Sequence, residues 1–141
     1  MPGWHGLRSA CRVVLPEHVV ERIRSLVAST ATSGGHVDNE AAKYGGIAVM
    51  GTLGATWLLR PDGTLWDVDD EWGRPIAPLS PEWHHAALLS GAERHPWLAE
   101  LIPPRPADAL PCATCNGRGR LGGGGGVFCP TCHARGWYPP P

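Results

Sequence analysis

Residues 55–68 read ATWLLRPDGTLWDV, and this stretch decides the fold of the N-terminal part of the chain. Its centre, Arg60-Pro61-Asp62-Gly63-Thr64, has the composition of a turn, because proline presets φ and glycine takes a positive φ at low cost. Ahead of the turn, Trp57 and Leu59 alternate with Thr56, Leu58 and Arg60, which predicts a strand with one buried face and one partly covered face. We therefore predict a β-hairpin with strands Ala55–Arg60 and Thr64–Val68.

Toward the N-terminus, the pattern predicts one more strand and one helix. Ile47–Met50 is a short apolar run that indicates a strand. Pro16 can occupy a first helical turn, and apolar residues at 19, 20, 23, 26 and 27 recur at helical spacing, so we predict an amphipathic helix over residues 16–29. The hydroxyl residues and paired glycines of Ser29–Gly35 predict a loop.

Toward the C-terminus, the pattern predicts two short helices and a linker. Ser80-Pro81-Glu82 indicates a helix start with Ser80 as its cap, and Gly91 can close this helix after Leu89. A second short helix is predicted over Trp97–Ile102. The prolines that follow make residues 103–111 a stiff, extended linker.

The composition is that of one modest globular domain built from short elements. The chain has 141 residues, 43% of them hydrophobic and 18% charged, with nineteen glycines and fifteen prolines. No run approaches the roughly 18 apolar residues that cross a bilayer, and Met1–Gly6 lacks the apolar core of a signal peptide. We therefore expect a cytoplasmic protein without membrane contact, in a compartment that keeps thiols reduced.

Four cysteines have the spacing of a metal site, Cys-x2-Cys-x13-Cys-x2-Cys. Each pair can supply two sulfur ligands from one tight turn, at about 2.3 Å from a zinc ion. Four cysteines fill a tetrahedral coordination sphere and leave no position for water or substrate. We predict a structural Zn²⁺ site with the ligands Cys112, Cys115, Cys129 and Cys132, and no catalytic or further cofactor-binding residues.

Other interpretations of the cysteines carry less weight. The two pairs could be redox dithiols, but no thioredoxin-like βαβ pattern surrounds either pair. Iron can replace zinc in a tetrathiolate site, so the identity of the metal stays open. Cys11 stands alone, and we interpret it as a packed or semi-exposed thiol and not as a fifth ligand.

The charge distribution argues against tight electrostatic binding of nucleic acid. Residues 1–111 carry nine Lys+Arg and thirteen Asp+Glu, net −4, whereas residues 112–141 carry three arginines and no acid, net +3. A zinc ion with four thiolates has a formal charge of −2, which brings the C-terminal segment close to neutral.

The remaining polar and aromatic clusters do not indicate an active site. The acidic run Asp67–Glu71 lacks the spacing of a calcium loop and is a better candidate surface for a basic partner. His84 and His85 diverge on a helix and have no nucleophile motif beside them. Five tryptophans are interpreted as core residues, with a ligand groove as the alternative: Trp57, Trp66, Trp72, Trp83 and Trp97.

Residues 112–136 resemble the cysteine-rich zinc domain of DnaJ-type chaperones, which repeats Cys-x-x-Cys-x-Gly-x-Gly. The unit from Cys112 to Gly119 matches in full, whereas the second unit has Ala134 in place of the first glycine. The chain has two such units where those chaperones have four, and it has no His-Pro-Asp signature. The resemblance implies a small zinc-stapled hairpin used for protein contacts.

The order of elements in residues 1–102 is similar to that of SUKH-type bacterial immunity proteins, which bind and neutralise toxins. Taken together, we predict an α+β fold: a small domain with an antiparallel β-hairpin or sheet and flanking short helices at 1–102, the linker at 103–111, and a zinc finger at 112–138. The function favoured is a non-enzymatic adaptor that binds a protein partner. The alternatives are a nucleic-acid-binding regulator and a SUKH-like immunity protein.

Overall fold

The computed structural model describes residues 12–33, 36–50, 56–68, 75–122 and 127–138. The fold is α+β, as predicted, with an antiparallel four-stranded sheet and a cluster of four cysteines near the C-terminus. The chain divides into two compact units, Met1–His84 and His85–Pro141. The domain bounds expected from the sequence stay a proposal about which parts fold independently.

Helices α1 (Glu17–Ser33) and α2 (His36–Lys43) precede the sheet. The predicted amphipathic helix is present, and its apolar side chains Val19 and Ile23 are fully buried. The loop predicted from Ser29 is wrong as far as Ser33, because α1 continues to that residue. The hydroxyl of Ser29 donates to the carbonyl oxygen of Leu26 at 3.3 Å, so it bonds within the helix instead of ending it.

The four strands are β1 (Ile47–Met50), β2 (Thr56–Leu59), β3 (Leu65–Val68) and β4 (Pro75–Pro78), paired in the order β1-β2-β3-β4. The predicted hairpin is β2 paired with β3, in a register that sets Leu59 opposite Leu65. β4 was not predicted. It contains two prolines, which a sequence pattern normally counts against a strand because proline cannot donate a backbone hydrogen bond. They are tolerated here because β4 is an edge strand.

The hairpin turn has the geometry expected of its sequence. Gly63 has a φ of 87°, and a Cβ there would lie 2.1 Å from the carbonyl oxygen of Val13. Asp62 Oδ1 accepts hydrogen bonds from the N–H of Thr64 at 3.0 Å and from its hydroxyl at 2.6 Å. These hydrogen bonds and nearby arginines outweigh the opposing effect of partial burial and lower the pKa of Asp62.

One face of the sheet packs against α2. Leu58 lies at the centre of this cluster and is 1% exposed. Its buried companions are Ala41, Ala48 and Val68, with Tyr44 and Trp66 packed against them. Trp57 is also buried, and its ring centroid lies 6.1 Å from that of Trp83. The interpretation of these tryptophans as packing residues therefore holds for Trp57, Trp66 and Trp83, whereas Trp72 lies outside the described residues.

The segment after the sheet begins with a 3-10 turn, Pro81–Trp83, and continues as helix α3, His84–Arg94. Ser80 occupies the N-cap position as predicted, with Pro81 after it, but its side chain makes no capping hydrogen bond. The predicted helix end at Gly91 is wrong. Gly91 is buried inside α3, and the helix ends instead just before Pro96, whose ring restricts the preceding backbone.

The predicted second helix is a 3-10 segment, Pro96–Leu101, with Leu98 fully buried. The proline-rich stretch that follows was predicted to be a linker over residues 103–111. Its last two residues instead form a strand. Strand β5 (Leu110–Pro111) pairs antiparallel with strand β6 (Trp137–Tyr138) and closes the cysteine segment. Among the described residues, no helix combines the length and apolar character needed to span a membrane.

Candidate metal centre

The structure brings the four predicted cysteines together. Cys112, Cys129 and Cys132 are 0% exposed and Cys115 is 1% exposed. All four Sγ atoms lie within 4.8 Å of one another, and within the described parts of the chain this is the group of His, Cys, Asp or Glu residues that could hold a metal ion. The cluster is compatible with a structural metal site.

Two of the distances between sulfur atoms are close to the edge of a tetrahedron around a metal ion. Sγ of Cys112 lies 4.0 Å from Sγ of Cys129, and Sγ of Cys115 lies 3.7 Å from Sγ of Cys132. Ligands at about 2.3 Å from a central zinc ion are separated by roughly 3.8 Å along a tetrahedral edge. A disulfide would require roughly 2.05 Å. The sulfur atoms are therefore spaced for a shared ion rather than for a covalent pair.

Each cysteine pair lies in the same backbone turn, which we call a knuckle. In the first knuckle the N–H of Gly117 donates to the carbonyl oxygen of Cys112, at 3.0 Å. The equivalent bond in the second knuckle runs from the N–H of Ala134 to the carbonyl oxygen of Cys129, at 3.1 Å. The two knuckles are thus built alike, offset by 17 residues in the chain.

The N–H groups of two glycines point at sulfur. Gly119 donates to Sγ of Cys115 and Gly136 donates to Sγ of Cys132, each at 3.1 Å. An N–H donor stabilises the negative charge of a thiolate. Both hydrogen bonds therefore favour the deprotonated sulfur that a metal ion requires.

The knuckles are joined crosswise by their backbones. The N–H of Cys112 donates to the carbonyl oxygen of Gly136 at 2.9 Å, and the N–H of Cys129 donates to that of Gly119 at 2.8 Å. A Cβ at Gly119 would lie 2.3 Å from the carbonyl oxygen of Ala134, and a Cβ at Gly136 would lie 2.6 Å from that of Gly117. Only glycine fits at both positions, which gives these glycines a physical role.

The surroundings of Cys112 and Cys132 shift the pKa values of these two thiols in opposite directions. Burial raises the pKa of Cys112, but hydrogen bonds from the Cys115 N–H and the Tyr138 hydroxyl outweigh it and help lower this pKa to about 6. Burial and the neighbouring cysteines raise the pKa of Cys132 to about 12. Thiolates this close repel one another, so ionisation of one opposes ionisation of the next. A divalent cation at the centre would remove that opposition.

Two contacts of the centre were not predicted from the sequence. The Tyr138 hydroxyl lies 3.8 Å from Sγ of Cys112 and 2.9 Å from the carbonyl oxygen of Thr131, so it links β6 to the second knuckle. Arg120 donates to Glu93 Oε1 at 2.7 Å, and its guanidinium carbon lies 4.5 Å from the centroid of the Phe128 ring. The sequence offered no signal for these pairs, since their partners are far apart in the chain.

The other candidate residues do not join the cysteines. The Nε2 of His84 donates to the carbonyl oxygen of Leu79 at 3.3 Å, and burial lowers its pKa. Burial and the charge of Arg135 lower the pKa of His85. Asp67 is exposed on β3, whereas residues 69–71 of the acidic run lie outside the described residues, as does Cys11.

Comparison with protein-family models, curated proteins and solved structures found no match to this chain. The resemblances to the DnaJ-type zinc domain and to SUKH-type proteins gain no support from these comparisons. Arguments about function therefore depend on the geometry of the cysteine centre.

Proposed function

We propose that this chain is a non-enzymatic protein in which Cys112, Cys115, Cys129 and Cys132 bind one structural Zn²⁺, and that the zinc-bound segment is a protein-interaction module. One observation carries the proposal. The four buried Sγ atoms lie within 4.8 Å of one another, and two of their separations, 4.0 Å and 3.7 Å, are close to a tetrahedral edge.

A structural role follows from the number of sulfur ligands. Four thiolates complete the tetrahedral coordination of zinc, so neither water nor substrate has a position on the metal. The metal would then supply rigidity and folding free energy, which a segment of this size with few apolar side chains needs. Phe128 and Ala134 are its buried apolar residues apart from the cysteines.

The adaptor role is supported by the surface of the same segment. Leu110 and Val127 are 49% and 40% exposed, although both flank a metal centre whose rigidity would hold them in place. Exposed apolar side chains on a rigid backbone are suited to protein contacts, because little conformational entropy is lost on binding. The proposed partner is therefore another protein.

Native mass spectrometry with and without a chelator tests the metal. We expect one zinc ion per chain, lost on chelation, and a Co²⁺-substituted chain with the visible absorption of tetrahedral thiolate coordination. If the bound ion has the mass of iron, the metal of this centre is iron and not zinc. A chain without metal and two hydrogens lighter for each cysteine pair would contradict the proposal.

Capture of binding partners tests the adaptor role. The zinc-loaded chain and a Cys112→Ser, Cys132→Ser variant are compared as baits at low and high salt. A protein held only by the zinc-loaded chain at both salt concentrations supports the adaptor. Retention of nucleic acid that falls steeply with salt would favour the regulator instead, and specific capture of a toxin would favour the immunity-protein alternative.

A further inference from the structure

Three arginines lie beside the contact between the two knuckle turns or directly next to its glycines in the chain. A Cβ at Gly117 would lie 3.8 Å from Nη1 of Arg105 and 3.8 Å from the carbonyl oxygen of Gly136, so Arg105 lies beside this contact. Arg118 follows Gly117 directly, and Arg135 precedes Gly136 directly. We call these three residues and Trp137 the arginine surface.

The charges of the arginine surface are not neutralised by the described residues. Within these parts of the chain, no carboxylate forms an ion pair with Arg105, Arg118 or Arg135. Arg118 donates through Nε to the carbonyl oxygen of Cys115 at 3.4 Å, which leaves its charge uncompensated. Arg120 differs, since it is paired with Glu93. The surface therefore has three guanidinium groups available to an anionic ligand.

The same surface also offers apolar contact. The guanidinium carbon of Arg135 lies 5.5 Å from the centroid of the Trp137 ring, which is half-buried. Trp137 pairs with Pro111 across the small sheet, so the two side chains lie on the same face, and Pro111 is exposed. Planar guanidinium groups bind carboxylates through two parallel hydrogen bonds, and they keep this capacity while stacked on an aromatic ring.

We infer that the arginine surface binds an acidic peptide segment of a partner protein, with carboxylates on the arginines and an apolar side chain against Pro111 and Trp137. This inference rests on the proposed function and specifies its partner. Charge is complementary locally, since three arginines that no carboxylate pairs with among the described residues face the carboxylates of such a segment.

A protein partner suits the surface better than nucleic acid does. Three arginines make few phosphate contacts, and affinity for nucleic acid grows with the number of phosphates neutralised. The apolar contact that Pro111 and Trp137 offer adds affinity for a peptide with an apolar side chain and none for a phosphate backbone.

Fluorescence anisotropy with the zinc-loaded full chain tests the inference. The probe is a labelled peptide of Asp and Glu residues around a single Leu. Its controls are the Asn and Gln version, the version with Ser in place of Leu, and a labelled single-stranded oligonucleotide of equal charge. We expect saturable binding of the acidic peptide, weaker binding without its Leu, and none of the neutral version.

Charge variants locate the binding surface. Arg105→Glu is expected to weaken peptide binding about tenfold or more, and Arg135→Lys several-fold, because lysine keeps the charge but loses the planar fork. Arg24→Glu is the matched control. It lies on α1 in an exposed ion pair with Glu21, and its effect should stay below about twofold. Zinc content and circular dichroism are measured for each variant.

The outcomes separate this inference from the proposed function. A zinc-loaded, folded chain that binds the neutral peptide or the oligonucleotide as well as it binds the acidic peptide overturns the inference and leaves the structural zinc site intact. Equal losses for Arg105→Glu and Arg24→Glu, with folding retained, also overturn it. A chain that binds no zinc contradicts both proposals.

Discussion

Ala134 has a φ of 74° at the place where the first knuckle has Gly117, with a φ of 77°. The left-handed region costs a residue with a Cβ about 1 kcal/mol or more. Ala134 stands where the sequence pattern has glycine, and the backbone of this alanine is therefore strained in the structure. The residue before each of these positions also has a positive φ, which is 53° for His133 and 55° for Asn116.

Replacing Ala134 with glycine should stabilise the zinc-bound segment. The change removes the left-handed strain, partly offset by the loss of one buried methyl group, and we expect a gain of roughly 0.5 to 1 kcal/mol. Because metal binding and folding of this segment are linked, the gain should appear as zinc affinity that is about two- to fivefold higher in a competition titration.

Ala113→Gly is the control for that prediction. Ala113 is exposed between the first two cysteines and does not have a positive φ. Glycine there only enlarges the conformational freedom of the unfolded chain, so affinity should fall slightly. If Ala134→Gly also lowered zinc affinity, the strain assigned to this residue would be wrong.

Gly119 and Gly122 separate backbone strain from steric conflict. Their φ values are 79° and 81°, but a Cβ at Gly119 would meet the carbonyl oxygen of Ala134 at 2.3 Å, whereas a Cβ at Gly122 meets nothing within 4 Å. Gly119→Ala should cost roughly 3 kcal/mol or more, which weakens zinc binding over a hundredfold. Gly122→Ala should cost only about 1 kcal/mol.

Competition with a chromophoric chelator measures both glycine variants. Similar losses for the two variants would mean that φ alone matters and that the knuckles do not approach as closely as the structure shows. A larger loss for Gly119→Ala is the expected result.

At the scale of elements, Arg120 joins helix α3 to the second knuckle. Its ion pair with Glu93 links residues 27 apart in the sequence, and its guanidinium stacks on Phe128. The side chain of Glu93 is 68% exposed, so the ion pair alone is worth at most about 1 kcal/mol. The cation–π contact with Phe128 is the second contribution of Arg120 to the stability of this segment.

Arg120→Ala should therefore cost more than Glu93→Ala. We expect about 1 to 2 kcal/mol for Arg120→Ala and less than about 1 kcal/mol for Glu93→Ala, measured as free energies from zinc competition. The double variant reports the coupling between the two residues. Equal free-energy costs for the two single variants would show that the contact between Arg120 and Phe128 does not stabilise the segment.

The elements differ in how well the sequence predicts them. The β2-β3 hairpin was predicted because its turn chemistry is local to Arg60–Thr64. β4 was missed because the tolerance of its prolines depends on its place at the sheet edge, which no local pattern reveals. The extension of α1 beyond Ser29 was missed because that hydroxyl bonds back to the preceding turn.

At the scale of the whole molecule, removal of the metal should affect the two compact units differently. In the first, Met1–His84, the sheet and its buried apolar cluster involve none of the four cysteines. The cysteine segment has the sulfur cluster at its own centre. We expect chelation to unfold residues 112–138 and to leave the sheet formed, because the metal supplies folding free energy only where it binds.

Amide hydrogen exchange with and without chelator measures this effect. Protection should be lost at the cross-knuckle N–H groups of Cys112 and Cys129 and kept in strands β2 and β3. Cys132→Ser should reproduce the effect of the chelator. Loss of protection throughout the chain would instead show that the two units unfold as one.

The sequence by itself determined the hairpin turn, the α+β class and the four candidate ligands, because each depends on residues close together in the chain. Only the tertiary structure decided how the knuckles face each other, which sulfur atoms become neighbours 17 residues apart, and where Arg105 and Arg135 lie. These features depend on contacts between distant segments, whose free energies are set by packing and not by local backbone preference.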